Sequence, residues 1–170
     1  TVVEAPKPVV AALNGPAAGG GANLALACDI RIASERAAIG QTFSRIGLHP
    51  DWGGTYFLPR LVGPARAAEL VFTGRMVDAE EAERMGLVNR VVPHDRFRGE
   101  VRELARELAA RPRLPIRRAK EALRKSLSSS LEEMLDHEVN AQMECFHTDD
   151  AREGIRAFLE KRDPEFGGGD

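Results

Sequence analysis

Short apolar runs separated by glycine and proline fill the first half of the chain, and stretches with helical spacing of apolar residues fill the second. Pro8-Val9-Val10-Ala11-Ala12-Leu13 is a continuous apolar run of the length that makes a fully buried strand. Asn14-Gly15-Pro16-Ala17-Ala18-Gly19-Gly20-Gly21-Ala22-Asn23 follows and leads directly into Leu24-Ala25-Leu26-Ala27-Cys28. This succession predicts a strand, a glycine turn and a helix that opens on exposed backbone N–H groups. Asp29 and Arg31 read as structural partners beside the strand Ile30 to Ser34. Further on, Asp78-Ala79-Glu80-Glu81 has the form of a helix cap and first turn, Gly86 that of a helix stop, and Leu87 to Val92 that of a closing strand. After Pro93 the pattern turns helical: Val101, Leu104, Ala105 and Leu108 share one face, and Pro112 and Pro115 interrupt before a helix expected over 117–127. Ser130-Leu131-Glu132-Glu133 is a capping box for a long helix through Met134, His137, Ala141 and Glu144, and Ile155, Phe158 and Leu159 mark a last helix. The expected organisation is therefore an α/β portion, residues 1–92, and a helical portion, residues 93–170, ending in a short tail at Gly167-Gly168-Gly169.

Composition narrows the function classes. Hydrophobic residues make up 43% and charged residues 29%, with a formal net charge of -2, a balance that argues against a nucleic-acid or membrane specialist. No apolar stretch reaches the ~18 residues needed to cross a bilayer, and a cytoplasmic location is expected. Cys28 and Cys145 have no metal-ligand spacing, so no metal site is expected and both read as small buried hydrophobes. One Trp and one Tyr leave no aromatic platform for single-stranded nucleic acid. The basic cluster from Arg111 to Lys125 reads most simply as a solvated helix face.

The glycine corner is the candidate for chemistry. Three successive glycines remove every Cβ from the approach to the main chain, and the first turn of a helix carries unpartnered N–H groups and the positive end of the helix dipole. Such a corner holds an anion, and if that anion forms during a reaction it is half of an oxyanion hole. On spacing alone, tight packing is an equally good reading. Neither nucleotide fingerprint fits: a P-loop needs Gly-Lys-Ser/Thr, and here the glycines lead to Ala22-Asn23.

At these residues the chain resembles the enoyl-CoA hydratase/isomerase, or crotonase, family. The likeness runs through Lys7 to Gly15, Gly19-Gly20-Gly21, Ala27 to Ala33, Gly53-Gly54-Thr55 with Leu58-Pro59-Arg60-Leu61-Val62-Gly63, Thr73-Gly74-Arg75, Ala79 to Ala82, Gly86 to Val92 and Arg152 to Arg162. These motifs stand in family order over essentially the whole chain. The resemblance implies a ββα-spiral α/β fold, here its C-terminal portion, followed by a helical trimerisation region. It implies an acyl-CoA thioester as partner, with coenzyme A entering as part of the substrate rather than as a resident cofactor, and a homotrimer or dimer of trimers. In the family the Lys-Pro-Val strand lies near the middle of the protein, so this chain is expected to be the C-terminal part of a longer polypeptide. The earlier turns of the spiral would supply the second oxyanion-hole donor.

The resemblance also assigns roles. Gly20 matches the N–H donor, with Gly19 beside it. Family hydratases place one glutamate three residues after that glycine and another shortly after a Gly-Gln pair; here those positions hold Asn23 and Phe43. Neither accepts a proton. The run Ile46-Gly47-Leu48-His49-Pro50-Asp51-Trp52-Gly53-Gly54-Thr55 is similar instead to the phenylacetate-pathway isomerase branch, which implies that Asp51 is the proton shuttle of a double-bond isomerisation. In this reading Asn23 orients the substrate or a water, Phe43 and Trp52 line the acyl pocket, and Phe158 and Lys161 reach the coenzyme A moiety. On local grounds alone Asp51 reads first as a natural N-cap for the helix that follows, and it is the resemblance that turns the reading to catalysis. The alternatives are hydration by a non-standard route and a catalytically silent fold that binds acyl-CoA or a partner.

Overall fold

The computed structural model describes residues 1–167; Gly168 and Gly169 of the glycine tail lie outside the described residues. The chain packs as two compact units, one of residues 1–5 and 9–105, the other of residues 6–8 and 106–170.

In the first unit, strands β1 (Val10–Leu13), β3 (Ile30–Ser34) and β6 (Arg90–Val92) form a parallel sheet in the order β1-β3-β6, with Val10 opposite Ile30 and Ile32 opposite Arg90. A second sheet joins β2 (Ala17–Ala18) in parallel to β4 (Ala38–Gly40), which pairs antiparallel with β5 (Met76–Asp78). Parallel neighbours need a crossover, and α1 (Gly20–Leu26) supplies one between β1 and β3. Helices α2 (Gly54–Val62), α3 (Pro64–Thr73) and α4 (Ala79–Arg84) complete the unit. Their apolar faces meet in one core, where Ala22, Leu26, Ile39, Leu58, Leu70, Val77 and Leu87 are buried.

Asp29 and Arg31 act as structural partners. Asp29 Oδ2 accepts from the Val9 amide at 2.7 Å, and buried Arg31 donates from Nε to the Leu87 carbonyl and from Nη1 to that of Cys28, both at 2.7 Å. Burial lowers the Arg31 pKa from its ordinary value, and the two carbonyls compensate the buried guanidinium. The cap expected at Asp78 forms, its side chain accepting from the Glu81 amide. Strand β6 is shorter than the sequence suggests. Leu87 and Val88 instead turn into the core, their amides donating to the Ala82 carbonyl.

Helix α5 (Phe97–Ala109) starts within the first unit, where Phe97, Val101 and Leu104 pack on Ile32 and Val92, so that unit extends past the Val92 boundary expected from the pattern. In the second unit are α6 (Arg113–Lys125), α7 (Leu131–Phe146) and α8 (Asp149–Glu160). Helix α6 begins four residues earlier than expected. Pro115 falls in its first turn, where no N–H is needed, so it does not interrupt. The Ser130–Glu133 capping box of α7 is present in both directions. Within this unit Lys120 Nζ donates to the Lys7 carbonyl at 3.1 Å.

Candidate active site

The glycine corner joins β2 to α1. Gly19 has a φ of 54°, open to glycine, and its amide donates to the Gly40 carbonyl at 2.9 Å, tying the corner to the end of β4. Gly20 opens α1, so its N–H has no intrahelical acceptor. The β4 strand then delivers Gln41 and the 3₁₀ helix Thr42–Ile46, which carries Phe43. A side-chain carbon added at Gly19 would lie 3.5 Å from Phe43 Cζ, so the buried ring packs directly on the corner.

Asp51 arrives from the other side. A side-chain carbon added at Gly20 would lie 3.9 Å from Asp51 Oδ1 and 3.9 Å from the Trp52 ring. The carboxylate therefore stands beside Gly20, the first residue of α1. It does not cap α2: that helix has Gly53 at its N-cap position and no side-chain cap. The reason is the backbone, since Trp52 and Gly53 have φ of 47° and 81° and turn the chain away between Asp51 and the helix. Among the described residues no hydrogen bond or ion pair engages the Asp51 carboxylate, which leaves it available to a substrate. Trp52 is 65% exposed, an open aromatic face beside that carboxylate.

Asn23 has a different place from the one expected. It is fully buried on the inner face of α1, with Nδ2 donating to the Asp51 carbonyl at 2.8 Å and Oδ1 accepting from Gln41 Nε2 at 2.7 Å. Its amide is turned into the protein, onto the Asp51 backbone and Gln41. Gln41, 2% exposed, is a site residue that sequence reasoning passed over as part of a Gly-Gln marker. Its signal was a large polar side chain in the run between a strand and a short apolar helix.

The corner thus brings Gly19, Gly20, Asn23, Phe43, Asp51 and Trp52 together. Phe158 and Lys161 belong to the other unit, where Phe158 is 82% exposed and Lys161, with φ 54°, ends α8. His49 is an exposed loop residue, and Cys28 and Cys145 are half-buried and not joined in a disulfide. Among the described residues, no group of three or more His, Cys, Asp or Glu side chains could hold a metal ion and no helix is long and apolar enough to cross a membrane.

The enoyl-CoA hydratase/isomerase family model matches residues 1–169. A crotonyl-CoA hydratase of Syntrophomonas wolfei is 42% identical over 160 residues, 94% of this chain and 62% of that protein. A short-chain-enoyl-CoA hydratase of Clostridioides difficile is 47% identical over 152 residues, 89% of this chain and 97% of its own. The crystal structure of an enoyl-CoA hydratase from Bacillus anthracis superimposes with a TM-score of 0.95 at 43% identity, covering 99% of this chain and 65% of that one. The chain spans just under two thirds of the length of several of the proteins it matches. Likeness at this level over nearly every residue carries the crotonase α/β fold with it, and the chain belongs to the enoyl-CoA hydratase/isomerase family.

Proposed function

We propose that the protein acts on an acyl-CoA thioester by stabilising its enolate, and that its reaction is migration of a double bond with Asp51 as the proton shuttle. The observation that carries this reading is the free Asp51 carboxylate beside Gly20, with an amide and a phenyl ring, Asn23 and Phe43, where a pair of glutamates would handle water. The thioester oxygen accepts from the Gly20 N–H. Asp51 removes a proton from C2 of a 3-enoyl thioester, and the electron pair of the broken C–H bond spreads through the dienolate to that oxygen. The same carboxyl group returns the proton to C4, giving the 2-enoyl thioester. One carboxylate suffices because the proton never leaves the site. A backbone or side-chain donor at a developing oxyanion contributes roughly 3–4 kcal/mol in other enzymes, so one aligned N–H is a substantial part of the barrier reduction. Phe43 provides an apolar wall behind the corner, and the exposed Trp52 ring offers an aromatic face to the acyl chain. The resemblance further supports a contact from Phe158 and Lys161 to coenzyme A. It also supports a homotrimer or dimer of trimers, for which the exposed Leu131, Leu135, Val139 and Phe158 supply apolar surface.

A second reading is water addition, favoured by the relatives, whose names are those of hydratases. The test is to assay the full-length protein with 3-enoyl-CoA and 2-enoyl-CoA side by side, and to repeat it with Asp51→Asn. The expected result is migration that falls by about 10²–10⁴ in the variant, the range of a lost general acid–base group. Efficient hydration of 2-enoyl-CoA with no migration overturns the reading, and so does migration at the parent rate in Asp51→Asn.

A further inference from the structure

The turn that presents Asp51 is held by a side chain the proton transfer itself does not use. Trp52 sits at φ 47° and Gly53 at φ 81°, two consecutive left-handed residues directly after Asp51. A bulky residue in that region is strained and persists only where the surroundings over-determine the backbone. Two donors converge on the Asp51 carbonyl: the Gly54 amide at 2.9 Å, closing the turn, and Asn23 Nδ2 at 2.8 Å from α1. A carbonyl can only accept, so the amide of Asn23 must present its nitrogen there and its oxygen to Gln41 Nε2, 2.7 Å away. Asn23 is wholly inaccessible and Gln41 is 2% exposed, so the pair forms a buried relay that starts at Gln41, whose Oε1 has no hydrogen-bond partner among the described residues, and runs through α1 to the Asp51 turn.

We infer that Asn23, oriented by Gln41, is a positioning residue that sets where the Asp51 carboxylate stands relative to the Gly20 N–H. The inference rests on the reading of Asp51 as the proton shuttle. It also gives a physical reason for an amide at this place: a carboxylate here would set lone pairs against the Asp51 carbonyl, whereas an amide supplies the N–H the turn needs.

The experiment measures kcat and KM for double-bond migration, per folded protein as judged by circular dichroism, in the full-length parent, Asp51→Asn, Asn23→Ala, Gln41→Met and the Asn23→Ala/Gln41→Met double variant. The expected result is a fall in kcat of at least ~10-fold in Asn23→Ala and several-fold in Gln41→Met, with KM within about 2-fold of the parent. The double variant should be no slower than Asn23→Ala, because Gln41 works through Asn23 and residues in one hydrogen-bonded chain are not additive. Loss that is purely structural would lower the folded fraction and leave kcat per folded molecule intact. If Asp51→Asn is inactive while Asn23→Ala keeps the parent kcat, the positioning role is wrong and Asp51 stands as the base. If Asp51→Asn retains the parent rate, the base assignment fails and the positioning role goes with it. Should Asn23→Ala not fold, Gln41→Met carries the test, since it keeps the side-chain volume and removes the Nε2 donor: an unchanged kcat overturns the inference.

Discussion

Gly54 leaves empty the space that the Asn23 amide occupies. A side-chain carbon at Gly54 would come within 2.6 Å of Asn23 Oδ1 and 2.7 Å of its Cγ, distances at which one of the two must move. Gly54 is buried and starts α2, so the helix can approach α1 only if this position has no side chain. Gly54→Ala is therefore expected to destabilise the protein by ~1–3 kcal/mol through overpacking. That outweighs the gain in helix propensity, at most about 1 kcal/mol. Urea denaturation checks the stability, and an unchanged midpoint would show that the Asn23 amide can yield.

Trp52 carries strain that its exposure does not repay. At 65% exposed it gains little from burial, while its left-handed backbone costs of order 1–3 kcal/mol. Asparagine tolerates that conformation far better. Trp52→Asn is expected to raise stability by about 1 kcal/mol and to lower kcat/KM for migration, since the ring beside Gly20 is lost. Thermal denaturation and steady-state kinetics on the same preparation test the pair of effects, and a destabilised variant would mean that the indole packs more than its exposure suggests.

Arg75 forks onto Glu81, with Nη1 and Nη2 donating to the two carboxylate oxygens at 3.0 and 2.7 Å, and its Nε reaches Glu69 at 2.9 Å. The hydrogen bond from Arg75 holds the Glu81 carboxyl below its ordinary value of 4.5. A carboxylate whose pKa is lowered on folding contributes stability above its unfolded pKa and loses it as pH falls through the folded one. The stability difference between the parent and Arg75→Met should thus be constant from pH 7 to about pH 5 and shrink below that. Urea midpoints taken between pH 7 and pH 3 give the comparison. A difference independent of pH would remove the ion pair as its source.

How much of this was legible beforehand depends on the residue. The glycine corner, the Asp78 cap and the Ser130–Glu133 box are local, set by backbone freedom and by donors within one turn, and the structure has all three. Asp51 could be singled out from its motif, yet the same local chemistry offered a capping role. Only the left-handed pair at Trp52 and Gly53 removes it, by turning the chain between Asp51 and the start of α2. Pro115 misled in a similar way, because a proline reads as an interruption until its place in the first turn of α6 is known.

The amino-acid sequence by itself determined the element types of β1, α1, β3, α4 and β6, the absence of side chains at the corner, and the absence of glutamates at positions 23 and 43. Those follow from period, sterics and residue chemistry within a few neighbours. Tertiary structure alone decided that Asn23 would face inward to a carbonyl 28 residues away, and that the Asp51 carboxylate would stand beside Gly20. Both depend on how closely α1 and α2 approach, which is set by packing between surfaces distant in the chain and, at one point, by the missing side chain of Gly54.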